Sequence, residues 1–171
     1  MLNLTGNPKI FLTGDRGIGK STIIENLLSK LPPKNYGGFF TRPNLENGAL
    51  KGFEIIDLIS GEKAGIAFFA PTGEIIPLKE GFLGVGINSL KNAEKRELPV
   101  MDELGFLELC APDFQKAVFQ ALLNAPKALG VLRNEPNPFL EQVKAMPGVK
   151  IITVNRENRE QILAELLEIY L

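Results

Sequence analysis

The residues Gly14-Asp15-Arg16-Gly17-Ile18-Gly19-Lys20-Ser21-Thr22 restrict this chain more than any other segment. They fit G-x-x-x-x-G-K-[ST], a loop whose backbone N–H groups cradle phosphate. The flanks agree with that reading. Lys9–Thr13 is a short apolar run that reads as a strand. A helix is expected over 20–30, with apolar residues at 23, 24, 27 and 28 on one face and Pro32-Pro33 as its stop. A strand, a glycine turn and a helix start together form a concave nest of N–H groups at the positive end of a helix dipole, suited to a triphosphate. Gly14, Gly17 and Gly19 keep side chains out of the turn. In this arrangement Lys20 reaches the β- and γ-phosphate oxygens and Ser21 ligates Mg²⁺, while the whole run from Gly14 to Thr22 contributes to nucleotide binding.

At 171 residues the chain is expected to form one domain spanning 1–171, large enough for a proper core. Its 44% apolar and 23% charged content are ordinary for a globular protein, and a net charge of −1 gives no field to recruit nucleic acid or an anionic membrane. With no histidine and only Cys110, a Cys/His zinc site and an intramolecular disulfide are both ruled out, and any catalytic base is not histidine. Cys110 reads as a small packing residue. Met1–Pro8 lacks the basic and apolar regions of a signal peptide, and no apolar run approaches the roughly 20 residues of a membrane span, so a cytoplasmic location is expected.

Further along, Gly37–Thr41 reads as extended, Arg42–Gly48 as turn-rich, and Phe53–Ile59 as a strand ending at Ser60-Gly61. Ala67–Phe69 and Glu74–Ile76 follow as short strands. The region at about 37–87 is therefore expected to be an antiparallel β-hairpin excursion inserted into an α/β core. Ser89–Arg96 reads as a short solvated helix, Leu98–Leu104 as a strand beginning at or just after Pro99, and Pro112–Asn124 as a helix with Phe114, Val118, Ala121 and Leu122 inward. Strands at Ala128–Leu132 and Val149–Val154 alternate with helices at Phe139–Met146 and Arg159–Tyr170. The alternation implies a mostly parallel central sheet flanked by helices on both faces.

A phosphate loop needs an acidic residue at the end of a neighbouring strand to place Mg²⁺. Asp102, after Val100-Met101 and before a loop, meets that need; Asp57 competes, but Leu58-Ile59 are read as continuing its strand. The metal-binding pair is accordingly Ser21 and Asp102. Glu103, beside Asp102, is the candidate for orienting or deprotonating the attacking water. Glu108 is a candidate for supporting metal-bound waters or for capping a helix. Lys20 and Arg133 are placed with Glu103 in the catalytic set, Arg133 because it follows a strand at its carboxyl end; Arg16 and Arg42 are further candidates for stabilising charge on the γ-phosphate. Gly105 and Arg156 complete the nucleotide-binding set, Arg156 as a residue that stacks on the base.

With these motifs together, the chain resembles the small P-loop nucleoside-triphosphatase family that includes the cancer-related nucleoside triphosphatase. The resemblance runs over nearly the whole chain. It rests on Gly14–Thr22, on Gly38-Phe39-Phe40-Thr41 leading to Gly52-Phe53, on Asp102-Glu103-Leu104-Gly105-Phe106-Leu107-Glu108, on Pro138-Phe139, and on Val154–Arg159. Phe106 stands where the family often has lysine, and Leu45 where it often has arginine. The resemblance implies a P-loop NTPase fold and slow, Mg²⁺-dependent hydrolysis of ATP, GTP and other nucleoside triphosphates to diphosphate and phosphate. Two other readings share the phosphate loop. A nucleotide or small-molecule kinase needs an acceptor pocket and usually an arginine-rich lid, and only Arg96 lies between Arg42 and Arg133. A GTP-operated switch fits Asp102-Glu103-Leu104-Gly105 as D-x-x-G but lacks an Asn-Lys-x-Asp guanine reader.

Overall fold

In the sequence, the core strands read as short, nearly continuous apolar runs, and the structure sorts their successive residues onto two faces of one sheet. The computed structural model describes residue 6 and residues 8–171; apart from Gly6 and Pro8, the expectation for Met1–Pro8 lies outside the described residues. The strands are β1 (Lys9–Thr13), β2 (Tyr36–Glu46), β3 (Ala49–Asp57), β4 (Lys63–Phe69), β5 (Ile75–Pro77), β6 (Leu98–Leu104), β7 (Ala128–Leu132) and β8 (Val149–Thr153). They form an eight-stranded sheet in the order β5-β4-β3-β2-β6-β7-β1-β8. The pairs β2–β6, β6–β7, β7–β1 and β1–β8 are parallel; β2–β3, β3–β4 and β4–β5 are antiparallel.

Ile10 and Leu12 of β1 point to one face with Val100, Leu129 and Val131, where α1 (Lys20–Leu28) and α6 (Arg159–Tyr170) cover them with Ile24, Leu27 and Leu166. Phe11 points to the other face with Phe39, Met101 and Leu132. Phe114 and Leu122 of α4 (Pro112–Asn124) and Phe139 and Leu140 of α5 (Pro138–Lys144) pack there. This is the period-two alternation of strands buried on both sides. Gly130 permits it at the centre of β7: a Cβ there would collide with the Phe11 ring and come within 2.7 Å of the Met101 carbonyl oxygen. At the back edge, the Tyr170 hydroxyl ties the end of α6 to the Ala128 carbonyl at 2.9 Å.

The expected α/β architecture is present, and α4 and α6 have the bounds the sequence indicates. Several local expectations are corrected. Arg42–Gly48 is not a turn: β2 continues to Glu46, and only Asn47 (φ 50) and Gly48 (φ 77) make the hairpin turn. Proline is tolerated at position 43 because β2 leaves β6 after Phe40 and is paired only with β3 beyond it, so its far side needs no donor. Asp57 ends β3 instead of lying mid-strand. Its carboxylate accepts from Ile59 N at 2.8 Å and Asn92 Nδ2 at 2.8 Å, at the opposite edge of the sheet from the phosphate loop.

The excursion is also shorter than 37–87, and its strands continue the main sheet. Strand structure stops at Pro77, and 79–93 is helical: α2 (Lys79–Gly81), a π turn (Phe82–Gly86) and α3 (Ile87–Ala93). Its glycines fit packing and do not break the helix. Gly81 lies against the Gly65 carbonyl and Gly86 within 2.9 Å of the Phe114 ring, measured to the Cβ each lacks. The helix at Ser89 is not simply solvated either, since Ser89, Leu90 and Ala93 are buried.

Every parallel strand ends at the same edge, so the loops after β1, β6 and β7 converge there. The β2–β3 hairpin projects past that edge and overhangs it. Because Gly130 sits under Phe11, Gly130→Ala should destabilise the fold by about 1–3 kcal/mol through overpacking. Gly84, whose missing Cβ has nothing within 4 Å, should accept alanine without loss. Chemical denaturation of the two variants checks the contrast.

Candidate active site

The loop between β1 and α1 is shaped by glycines in the left-handed region: Gly14 (φ 133), Gly17 (φ 76) and Gly19 (φ 105). A Cβ on Gly14 would lie 2.5 Å from the Val154 carbonyl oxygen, so the loop is pressed against the end of β8. Among the described residues no side chain caps the start of α1, and no acidic residue lies in its first turn, which leaves its amide donors for an anion. Lys20 is buried, and its ammonium donates to the carbonyls of Gly14 and Asp15, each at 2.7 Å. Burial lowers its pKa, against the opposing pull of Glu103 and Asp102.

Across the loop, β6 delivers two carboxylates. Asp102 is 1% exposed; it accepts from Ser21 Oγ at 3.0 Å and faces Arg42 Nη1 at 3.4 Å. Burial raises its pKa, and Arg42 partly offsets that. Arg42 also pairs with Glu25 at 2.7 Å and stacks over Phe40 with its guanidinium carbon 4.0 Å from the ring centre. Ser21 and Asp102 offer adjacent hard oxygen donors, which suits Mg²⁺. No cluster of three His, Cys, Asp or Glu converges among the described residues. Mg²⁺ held together with phosphates needs only one or two protein ligands.

Glu103 is about one-third exposed at the cleft, 3.9 Å from Arg133 Nε. Its pKa is raised chiefly by burial, with Arg133 opposing. Arg133 also reaches Glu135 at 3.4 Å and lies 5.1 Å from the centre of the Phe106 ring. Gly105 leaves room for it, since a Cβ there would strike the Arg133 side chain. Glu108 does not cap α4, since among the described residues no side chain does. It is buried beneath the turn and accepts from Gly105 N at 2.8 Å.

These groups face a cleft of about 640 Å³. Gly14, Asp15, Arg16, Gly17, Gly19, Lys20, Ser21 and Thr22 line one side, with Glu103 and Arg133 facing them. Ile18 turns away to pack on the α1 core. Asp102 lies below the cleft floor, and Arg156 is exposed on the turn after β8, outside the cleft lining. The opposite wall is one the motifs do not reveal: Leu50, Phe53, Phe69 and Ile75 from β3–β5, with Phe106 beside them and Asn134 and Glu135 at the rim. The strand alternation that aims Phe53 and Phe69 inward was available, but it says nothing about which surface they meet. Leu45 is 61% exposed near the hairpin tip, whereas Arg42, three residues earlier, makes the contact with Asp102.

A family profile described as NTPase matches residues 9–167. Nucleoside-triphosphatase THEP1 of Thermotoga petrophila is 30% identical over 164 residues, covering 93% of this chain and 90% of that protein. The mouse cancer-related nucleoside-triphosphatase homolog is 25% identical, covering 94% of this chain and 95% of its own length. Among solved structures, that of the human cancer-related nucleoside triphosphatase superposes with a TM-score of 0.78 at 25% identity, over 94% of this chain and 96% of its own. THEP1 from Aquifex aeolicus gives the same score and identity, over 94% and 97%. Among the described residues, no helix is long and apolar enough to cross a membrane.

Burial pushes the Glu108 carboxyl up from 4.5 to about 8. The folded protein therefore keeps this proton across a window in which the unfolded chain has lost it. Stability should fall as pH rises from about 4.5 to about 8, with the full penalty present above that. Glu108→Gln keeps an acceptor for Gly105 N and removes the ionisation. It should be more stable than the parent near pH 8 by a few kcal/mol and flatter across the window. Urea denaturation at several pH values tests this, and an unchanged slope would contradict it.

Proposed function

The chain belongs to the NTPase family, and from that premise we propose that it is a Mg²⁺-dependent nucleoside triphosphatase. Its substrates are ATP, GTP and other nucleoside triphosphates, and its products are the diphosphate and phosphate. Residues 1–171 act as a single P-loop NTPase domain. The observation that carries this reading is one cleft in which the glycine-rich loop and Lys20 face a carboxylate, Glu103, at the end of β6, the strand beyond β7.

The amides of the loop and of the first turn of α1 bind the phosphates, and Lys20 exchanges its two carbonyl partners for β- and γ-phosphate oxygens. Ser21 and Asp102 hold Mg²⁺, which when bound neutralises charge on the phosphates. Glu103 takes a proton from the attacking water. Its raised pKa makes it a better base than an exposed carboxylate. Arg133, already paired with Glu103 and Glu135, lines the same cleft as Lys20 and shares the charge that develops on the γ-phosphate. The exposed Arg156 serves the base from the β8 side of the loop.

Two variants separate binding from chemistry. Lys20→Ala should lose most nucleotide affinity or turnover while remaining folded. Glu103→Gln leaves Lys20, Ser21 and Asp102 in place, so it should bind nucleotide almost normally while its single-turnover phosphate release falls by roughly 10²–10⁴. Near-normal release by Glu103→Gln would remove it from the mechanism.

A further inference from the structure

The Gly38-Phe39-Phe40-Thr41 run ends on a residue to which the mechanism above gives no task. Phe40 pairs with Asp102 across the β2–β6 ladder, so Thr41 lies one residue further toward the cleft edge. Its hydroxyl is buried and makes no hydrogen bond among the described residues. A buried hydroxyl without a partner costs free energy that valine, of nearly the same shape, would not. Thr41 also lines a second, smaller cavity of about 20 Å³, together with Glu103 and Glu108. That volume holds about one water molecule, and a water needs polar partners to stay there. The cavity adjoins the cleft, because Phe53, Glu103, Phe106 and Arg133 line both.

We propose that Thr41 is a positioning residue, whose hydroxyl holds the attacking water in this cavity against the carboxylate of Glu103. The inference rests on the reading of Glu103 as the proton acceptor. The water gives one hydrogen to Glu103 and the other to Thr41 Oγ1, which leaves an oxygen lone pair free for the phosphorus. In the step, the water oxygen forms a bond to the γ-phosphorus. The bond from phosphorus to the β–γ bridging oxygen breaks, its electron pair departs with the nucleoside diphosphate, and one water proton passes to Glu103. Glu108 forms another part of the cavity wall. Burial keeps it protonated near neutral pH, so it does not compete for that proton. Fixing a nucleophile in this way acts on the chemical step and not on nucleotide binding.

Thr41→Val and Thr41→Ser in the full chain test the proposal, with single-turnover phosphate release and nucleotide affinity measured on each. Thr41→Val should release phosphate about tenfold or more slowly, with affinity changed less than about threefold and thermal stability not lowered. Thr41→Ser, which restores the hydroxyl, should recover most of the rate. A purely structural threonine would not give this split. Should valine disturb the fold, Thr41→Ala makes the same deletion with less bulk. A valine variant as fast as the parent, or a serine variant as slow as valine, overturns the proposal. If Glu103→Gln is slow while Thr41→Val is fast, only the water site fails; if both are fast, the reading of Glu103 fails first.

Discussion

The hydrogen bond from Ser21 to Asp102, 3.0 Å long, ties the first turn of α1 to the end of β6, segments 81 residues apart in sequence. Everything the site does depends on that closure. It can form only because the parallel strands β1, β6 and β7 all end at one edge, and because the loop after β1 curls through three glycines with positive φ before α1 begins. The register in turn is held by the two apolar layers, with Ile10, Leu12 and Val131 on one face and Phe11, Phe39 and Met101 on the other. A one-residue slip of β6 would turn Asp102 away from Ser21 and bury Glu103.

Charge is distributed in this site so that no carboxylate is buried alone. Asp102 has Ser21 and Arg42, Glu103 has Arg133, and Glu108 has the amide of Gly105 and keeps its proton. Burying an ionised carboxylate without such partners would be prohibitive. The pairing also divides labour. The carboxylate next to Ser21 has oxygens suited to a divalent ion. Its neighbour is partly open to the cleft, desolvated enough to be a stronger base, and adjoins a cavity the size of one water. Arg42 connects α1, β2 and β6 through Glu25, Phe40 and Asp102, so the overhanging hairpin is tied to the strand end that the mechanism uses.

Much of this was legible in the sequence wherever the signal is local. The phosphate loop carries its own turn chemistry, α4 carries both its apolar stripe and a proline at its first position, and β7 is an unbroken apolar run. The exceptions depend on neighbours that the sequence does not name. Pro43 reads as a turn residue until it is known that, among the described residues, no strand pairs with that side of β2. The stretch 79–87 reads as part of the β excursion until Gly81 and Gly86 are seen packed in a helix against Gly65 and Phe114. The structure puts Asp102, and not Asp57, beside Ser21, but continuation of the strand past Asp57 is not what separates the two. Asp57 also ends a strand, and antiparallel pairing puts it at the far edge. The apolar wall of Phe53 and Phe69 and the unpartnered hydroxyl of Thr41 are tertiary facts with no local signature.

The central claim is that water activated at Glu103 attacks the γ-phosphorus and the diphosphate leaves intact. A single turnover of nucleoside triphosphate in water enriched in heavy oxygen, with both products examined by mass spectrometry, tests it most directly. The account predicts the label in the released phosphate and none in the nucleoside diphosphate. Label in the diphosphate, or unlabelled phosphate, would contradict it.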